Sequence, residues 1–320
     1  MTPPAPDSSF RHSSAPMSNT QFLAQLFERL WSVYRQRVAH VAVYEELLAE
    51  HQAQFQNDHI AFRSIAWQAP TSGISSVARP FEALGYRPAA CYHFPAKHLQ
   101  AIHLEPPPSE GVTPLPKLFV SEWQAWRVSP EIRACLAPSL ERHAAPIGMD
   151  ELEQLARLES GSVPVEPLLE RLSNWYLDRP WPPPSRSHVE TVAASSQYAA
   201  WVLVHGYAVN HFTGLVNAHQ VGTLAGIEQT AEALVEAGVP MKEEIEGAEG
   251  SRLRQTATQA VTVNVEVTED GDINTMPWTY AYFELAERGQ VLDPSTGLSA
   301  RFEGFLGPQA TQLFDMTRPD

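Results

Sequence analysis

Cysteine is scarce in this sequence, which contains only Cys91 and Cys135 among its 320 residues. Neither lies in a CxxC pattern, and neither has a neighbouring sequence that is typical of an activated thiol. A disulfide framework and a cysteine nucleophile are therefore both disfavoured. The pattern favours two free thiols in a reducing compartment, and we expect a cytoplasmic protein.

Positive charge is also scarce, because 22 Lys and Arg residues face 37 Asp and Glu residues, for a net charge of −15. Nucleic acids and anionic membranes bind basic surfaces, so neither is expected as a partner. No apolar run approaches the roughly 20 residues that span a bilayer. The GxGxxG and GxxxxGK[ST] nucleotide fingerprints and the GxSxG elbow of hydrolases are absent as well. No feature of the sequence specifies an oligomeric state.

Residues 1–20 are rich in Pro and Ser and have no apolar core, so they do not resemble a signal peptide. We expect them to form a disordered tail, within which Met17 is an alternative start. Residues 21–320 are expected to form a single domain. Their content fits a soluble enzyme, since the whole chain is 43% hydrophobic and 18% charged.

The first half of the chain predicts helices followed by a mixed module. Apolar residues at helical spacing in residues 21–51 indicate two helices with a break near residues 39–40. Module one, at about residues 55–125, then follows the order strand, helix and three strands. We predict its first strand at 57–65, its helix at 73–84 and its later strands at 86–94, 99–104 and 118–120.

The second half repeats this order after a helical insertion at about residues 130–205. The insertion has apolar faces of helical type at 131–176 and a short buried helix at 195–205. Module two covers about residues 206–290, and a C-terminal extension occupies residues 291–320. The two modules predict an α+β fold of two βαβββ-type units. In module two we predict strands at 208–217, 240–245, 255–267 and 278–287 and a helix at 224–237.

The first strand of module one carries two residues that suggest a binding site. In an extended chain His59, Ala61 and Arg63 share one face, and the backbones of His59 and Arg63 lie about 13 Å apart. The long arginine side chain can close much of that gap. A neutral imidazole is the commonest metal ligand, and a guanidinium forks onto a carboxylate. The pair therefore indicates a metal with an acid bound beside it.

Two further residues complete a candidate metal site. His211 lies on the first strand of module two, and Glu284 interrupts an apolar strand, where an unpaired carboxylate would be costly to bury. Two histidines and one carboxylate form the facial triad that holds Fe(II) and leaves three positions open. Two positions suit the carboxylate and keto oxygens of a 2-oxo acid, and the third suits O₂. The alternative is that Glu284 lies on a solvent-exposed face and that the two histidines are core residues whose hydrogen bonds are satisfied within the protein.

Five other histidines offer weaker candidates. His93, His98 and His103 cluster in one hairpin, but no carboxylate of that hairpin faces the same way at a convincing spacing. His205 ends a helix, where its charge would favour the helix dipole. His219 is expected in a turn.

The stretches that carry these residues resemble the DUF1338 family, the 2-oxoadipate dioxygenase/decarboxylases. The resemblance spans most of residues 22–287, and it is not matched in the C-terminal extension. The matching stretches, in order, are NDHIAFRSI, FEALGYRPAACYHFPAKHLQAIHLE, LPKLFVSEW, SQYAAWVLVHGYAVNHFTGLVN, LRQTATQA and YAYFELAER.

The resemblance implies a vicinal-oxygen-chelate-like fold whose modules form a curved mixed sheet around the metal. It implies that His59, His211 and Glu284 hold Fe(II) and that Arg63 binds a substrate carboxylate. The implied reaction converts 2-oxoadipate and O₂ to 2-hydroxyglutarate and CO₂, as in lysine degradation, with no organic cofactor. Two other functions remain open on the same scaffold, namely a glyoxalase-like metal-dependent isomerase or lyase and a non-catalytic protein that binds an oxo acid.

Overall fold

Two helices, α1 (Asn19–Arg37) and α2 (His40–His51), begin the chain in the computed structural model, which describes residues 16–108, 114–143, 147–292, 295 and 297–306. Ser18 caps α1 by accepting from the Gln21 N–H, and the Gln21 side chain accepts from the Ser18 N–H. The break between the helices falls where the sequence predicts it. The predicted tail lies mostly outside the described residues, although its last two residues belong to α1.

Module one has the predicted order of strand, helix and three strands. Gly85 follows the helix at a φ of 100°, a conformation that residues with a side chain rarely adopt. This allows the chain to turn directly from the helix into the next strand. The elements are β1 (Asn57–Ala66), α3 (Ile74–Ala83), β2 (Arg87–Phe94), β3 (Leu99–Glu105) and β4 (Lys117–Gln124).

The insertion contains five helices in the residues that the structure describes. The helical region predicted at 131–176 is divided into three of them, because Gly148 and Pro164 occupy N-cap positions and Gly161 takes a left-handed conformation between them. The buried helix predicted at 195–205 is confirmed as the last of the five. The helices are α4 (Pro130–Leu140), α5 (Met149–Leu155), α6 (Val165–Trp175), α7 (Arg186–Ser195) and α8 (Gln197–His205).

Module two departs from its predicted strands in three places. Residues 240–245 form no strand. Only isolated bridges are found there, from Met241 to Thr258 and from Glu246 to Gln255. The predicted strands at 255–267 and 278–287 are each divided in two. The observed elements are β5 (Val209–Leu215), α9 (Ile227–Glu236), β6 (Leu253–Ala257), β7 (Thr262–Glu269), β8 (Asp272–Thr279) and β9 (Glu284–Arg288), followed by β10 (Gln290–Leu292) and β11 (Ser299–Arg301).

The divided strands arise because β7 and β8 form a hairpin of their own, which packs on α7 and α8 outside the main sheet. The alternating valines of β7 reflect this half-exposed position. Residues 280–283 then return the chain to the main sheet without belonging to a strand. The expectation that Tyr280 and Glu284 share one strand is therefore wrong.

One seven-stranded sheet joins the two modules in the order β2-β3-β4-β1-β5-β9-β6. The pairs β1–β4 and β5–β9 are parallel, whereas β1 and β5 are antiparallel. The modules thus meet at β1 and β5, with Ala61 opposite His211. The predicted α+β fold, with two modules sharing one curved mixed sheet, is confirmed.

The two faces of this sheet have different surroundings. Phe62 packs against Phe81 of α3, and Phe212 packs against Trp31 and Tyr34 of α1. Helices therefore cover this face, and strand alternation sends His59 and its neighbours to the other. Among the described residues, no helix has the length and apolarity needed to cross a membrane.

Candidate metal centre

Three buried side chains converge from neighbouring strands. His59 lies on β1, His211 on β5 and Glu284 at the start of β9, and one ligand atom from each lies within 4.8 Å of the others. His59 Nε2 is 3.4 Å from Glu284 Oε1, and His211 Nε2 is 3.6 Å from Glu284 Oε2. All three side chains are buried. Across the residues that the structure describes, this is the one such group of three.

Two bulges orient the histidines. The pairing of β1 with β5 shifts by one residue at Asp58 and again at Asn210, so each is an extra residue in its strand. Each can therefore lie beside the histidine that follows it, although adjacent strand residues usually point to opposite faces. His59 Nδ1 is 2.8 Å from Asp58 Oδ2, and His211 Nδ1 is 3.1 Å from Asn210 Oδ1. A proton on each Nδ1 leaves each Nε2 lone pair free for a metal.

Asp58 is also bound by a buried arginine. Arg288 Nε lies 2.6 Å from Asp58 Oδ1, and Arg288 Nη2 lies 2.7 Å from Oδ2. Burial alone would raise the pKa of Asp58, but the charge and hydrogen bonds of Arg288 hold it well below its ordinary value. Asp58 is therefore an anion that orients His59 while its own charge is balanced.

The Glu284 carboxylate is only half satisfied by the protein. Oε1 accepts a hydrogen bond from Gln255 Nε2 at 2.6 Å, and the Thr213 hydroxyl lies 3.4 Å away. Burial raises the pKa of Glu284 to about 8, against the opposing effect of the Gln255 hydrogen bond. A bound cation would reverse that shift by stabilising the charged carboxylate.

The donor set fits a divalent metal ion. Glu284 Oε2 and His211 Nε2 are buried and have no hydrogen-bond partner within the described part of the chain. Burial also lowers the pKa of both His59 and His211, so the two imidazoles are neutral, the form that binds metals. A divalent ion would satisfy the two orphaned atoms and pair with the buried carboxylate. Two imidazoles and one carboxylate form the donor set of a facial triad.

Arg63 faces the same cavity as the two histidines. Its guanidinium lies over the rings of Tyr198 and Trp201, at 5.1 and 5.3 Å from their centroids, and it hydrogen-bonds to the Tyr282 hydroxyl. The Tyr282 ring in turn stacks on His211 at 4.7 Å. The structure thus brings Arg63 together with the three predicted ligands, in an orientation fixed by aromatic rings.

The segment after β11 covers this cavity, where Phe305 and Leu306 form part of its lining. The Phe305 ring meets the His59 ring edge-on at a centroid distance of 4.8 Å. Arg288 Nη1 donates to the carbonyls of Phe302 and Gly304 at 3.1 and 2.8 Å. The arginine that holds Asp58 therefore also holds the covering segment. The rest of the predicted C-terminal extension, residues 293, 294, 296 and 307–320, lies outside the described residues.

The other candidate histidines do not form a second metal site among the described residues. His103 Nδ1 lies 2.8 Å from the Tyr92 hydroxyl, and His219 Nε2 lies 2.7 Å from the Tyr44 hydroxyl. The expectation that a charged His205 favours the helix dipole is wrong. Burial lowers the pKa of His205 to about 3, and the neutral ring hydrogen-bonds through Nε2 to the Thr279 carbonyl at 2.9 Å.

Comparison with known proteins identifies the family to which this site belongs. The family model of the 2-oxoadipate dioxygenase/decarboxylases matches residues 21–313. The chain belongs to this family. It is 28% identical over 323 residues to the chloroplastic 2-oxoadipate dioxygenase/decarboxylase of Arabidopsis thaliana, an alignment that covers 96% of this chain and 80% of the relative.

Solved structures share the fold of this 2-oxoadipate dioxygenase/decarboxylase family member. The hydroxyglutarate synthase of Oryza sativa, solved in complex with 2-oxoadipate, matches with a TM-score of 0.74 and 24% identity over 99% of this chain and 97% of that one. A glyoxalase superfamily protein of Ralstonia eutropha JMP134 matches with a TM-score of 0.75 and 22% identity, covering 95% and 91% of the two chains. At these identities the likeness establishes the fold alone.

The structure adds residues to the site of this 2-oxoadipate dioxygenase/decarboxylase family member that the sequence analysis missed. For Asp58 and Asn210, regular strand alternation predicts the opposite face of the sheet. The sequence does contain a signal for both, since the first strand of each module carries a short polar residue directly before its histidine. The other missed residues, for which no comparable signal exists, are Gln255, Arg288 and Phe305.

Proposed function

We propose that this protein is an Fe(II)-dependent dioxygenase that converts 2-oxoadipate and O₂ to 2-hydroxyglutarate and CO₂, a reaction of lysine degradation. The observation that carries the proposal is the convergence of His59, His211 and Glu284 near the buried Arg63. Two potential ligand atoms of this group, His211 Nε2 and Glu284 Oε2, have no hydrogen-bond partner among the described residues. Membership of the family supports 2-oxoadipate as the substrate and decarboxylating dioxygenation as the reaction class. The cytoplasmic location suggested by the free thiols of Cys91 and Cys135 stays a prediction.

His59, His211 and Glu284 would hold the iron through His Nε2 atoms and the carboxylate. When bound, Fe(II) in such a triad supplies Lewis acidity, activation of O₂ and open positions for a 2-oxo acid. Asp58 and Asn210 accept from Nδ1 of the two histidines, which would leave both Nε2 lone pairs free for the ion.

Arg63 would recognise a carboxylate of the substrate. Its guanidinium has a rigid fork that matches a carboxylate, and the rings of Tyr198 and Trp201 hold its plane. In a protein with a net charge of −15, an anionic substrate requires such a local cation. Phe305 and Leu306 would exclude water from the reacting end of the substrate.

The reaction balances without an organic cofactor. Cleavage of the bond between the keto carbon and its carboxylate releases CO₂, and the keto carbon becomes a new carboxylate by gaining one atom of O₂. The second atom enters the C–H bond of the adjacent carbon and forms the hydroxyl of 2-hydroxyglutarate. The 2-oxo acid supplies two electrons and the hydroxylated C–H bond supplies two, which together reduce O₂.

The test is oxygen uptake by anaerobically purified protein that is reconstituted with Fe(II). It is given 2-oxoadipate, 2-oxoglutarate or neither. We expect uptake with 2-oxoadipate that is matched by CO₂ and a hydroxy diacid. Iron-loaded protein that consumes no O₂ with any 2-oxo diacid would refute the proposal. Turnover under strict anoxia would favour an isomerase or lyase, and oxo-acid binding that survives loss of Glu284, without turnover, would favour a binding protein.

A further inference from the structure

Asn210 has a position that regular strand pairing would not give it. It is the extra residue of the bulge in β5, opposite Ala61 and Phe62. Asn210 lines the cavity together with His211 and Arg63, and the residue is only 1% exposed. The bulge thus places two consecutive residues, Asn210 and His211, at the same site.

The oxygen of the Asn210 amide has a hydrogen-bond partner, whereas its nitrogen has none among the described residues. If His211 Nε2 is to bind a metal, the ring proton lies on Nδ1 and donates to Asn210 Oδ1, at 3.1 Å. This fixes the orientation of the amide and turns Nδ2 away from the ring. Asn210 Nδ2 is buried and has no acceptor among the described residues. A buried N–H donor without an acceptor is unusual in folded proteins and calls for a partner.

The corresponding bulge in β1 offers an internal comparison. Asp58 also precedes a ligand histidine and also accepts from its Nδ1, but both of its oxygens are engaged by Arg288. Both oxygens of the Asp58 carboxylate therefore have hydrogen-bond partners within the protein. At position 210 the residue is a neutral amide that lines the cavity and whose remaining donor has no acceptor among the described residues. A carboxylate there would repel an anion bound by Arg63, whereas an amide N–H attracts it.

We propose that Asn210 is a substrate-binding residue whose Nδ2 donates a hydrogen bond to an oxygen of the 2-oxo acid end of the substrate, while its Oδ1 orients His211. This inference rests on the proposed function for the identity of the substrate. It assigns one residue to both metal binding and recognition of the acid. Gln255 does not serve in its place, since its Nε2 is engaged by Glu284.

The test separates the two ends of the amide with the variant Asn210→Asp. This change keeps the oxygen that accepts from His211 and replaces the free donor with an acceptor. Co(II) affinity is measured first, and then binding of 2-oxoadipate and of oxalate to the Co(II)-loaded protein without O₂. We expect Co(II) affinity no weaker than that of wild type, since the carboxylate still accepts from His211, and binding of both anions weakened at least tenfold, which corresponds to about 1.4 kcal/mol.

Two further variants keep the result interpretable. Asp58→Asn, at the matching bulge, is expected to weaken Co(II) binding and to change anion binding by the loaded protein much less. Asn210→Ala removes both ends of the amide, so both affinities should fall, and it serves in place of Asn210→Asp if that variant does not fold. Thermal unfolding of each variant checks the fold.

Unchanged anion binding by loaded Asn210→Asp, or by loaded Asn210→Ala if that variant is used in its place, would overturn the inference. Loaded wild-type protein that binds neither anion would overturn it as well. Failure of the proposed function has a different signature. In that case wild type binds oxalate and the Asn210→Asp contrast persists, but Fe(II)-loaded wild type consumes no O₂ with 2-oxoadipate.

Discussion

Arg288 and Asp58 form a buried ion pair in which two guanidinium nitrogens meet the two carboxylate oxygens at 2.6 and 2.7 Å. The same carboxylate accepts from His59 Nδ1, and the same guanidinium donates to two carbonyls of the segment that covers the cavity. One ion pair therefore connects the candidate metal ligand His59 to the segment that covers the cavity. Both side chains are at most 2% exposed, so little solvent screening weakens the pair.

We expect Asp58→Asn to weaken both metal binding and the fold. It leaves the Arg288 charge buried without its partner, which typically costs about 3–5 kcal/mol of unfolding free energy. It also removes the anionic acceptor of His59, and loss of such a partner typically lowers metal affinity about 10- to 100-fold. Urea unfolding of the metal-free protein and Co(II) titration measure the two effects separately.

A matched control for this variant is Glu166→Gln, which breaks the exposed ion pair with Arg29. Exposed pairs contribute about 0–1 kcal/mol, so the control should change stability little and metal affinity not at all. Asp58→Asn protein that binds Co(II) as tightly as wild type would show that Asp58 does not orient His59 for a metal.

Glu284→Gln should show how much the buried carboxylate destabilises the metal-free protein and whether that carboxylate binds the metal. In the metal-free protein, burial raises the pKa of Glu284 to about 8, above its ordinary value of 4.5. The folded state then binds more protons than the unfolded state between these two values, so its stability falls as the pH rises through that window. We expect metal-free Glu284→Gln to be more stable than metal-free wild type at pH 8, by on the order of 3 kcal/mol.

The same variant should lose stabilisation by metal. Wild type at a Co(II) concentration of about 100 times Kd should gain about 2.7 kcal/mol, whereas Glu284→Gln should gain much less. The measurement is denaturant unfolding with and without Co(II). Equal stabilisation of the two proteins would show that Glu284 is not a ligand.

Strand periodicity, the repeated order of elements and one acidic residue in an apolar strand point to four site residues, namely His59, Arg63, His211 and Glu284. His59, Ala61 and Arg63 alternate regularly because the bulge of β1, at Asp58, precedes them and the extra residue of the second bulge belongs to β5. The repeated order of elements then placed His211 at the equivalent strand of module two. The pairing of β1 with β5, which no local pattern specifies, makes these strands neighbours.

The parts that could not be predicted depend on tertiary contacts. A bulge is defined by the partner strand, so the chain alone shows a polar residue before each histidine but not that Asp58 and Asn210 turn toward the site. The β7–β8 hairpin has the alternation of a sheet strand, and only its packing on the insertion helices shows that it lies outside the main sheet. Likewise, His205 has the sequence position of a charged C-terminal residue, but the surrounding aromatic side chains keep it neutral.

His205 should make the fold sensitive to acid. Burial lowers its pKa to about 3 from an ordinary 6.5, so the unfolded state binds more protons than the folded state between these values. The stability that the neutral ring contributes is complete above about pH 6.5 and is lost as the pH falls toward 3. One such proton changes the unfolding free energy by up to about 1.4 kcal/mol per pH unit.

The variant that checks this is His205→Gln, whose amide can still donate to the Thr279 carbonyl. Its unfolding free energy, measured in urea from pH 7 to pH 4, should fall less steeply than that of wild type. His93→Gln, which changes an exposed histidine of β2, is the control and should keep the wild-type slope. Parallel curves for wild type and His205→Gln would contradict the assignment.

Arg63→Lys should affect the substrate far more than the metal. Lysine keeps the charge but has no planar fork, and its ammonium cannot match the stacking of the guanidinium over Tyr198 and Trp201. We expect KM for 2-oxoadipate to rise about 10- to 100-fold, since a bidentate contact is replaced by a point charge, while Co(II) affinity changes less than about threefold. Arg79→Lys, on the exposed surface of α3, is the control and should change neither quantity. If Arg63→Lys reduced metal and substrate affinity equally, Arg63 would act by supporting the metal site rather than by binding the acid.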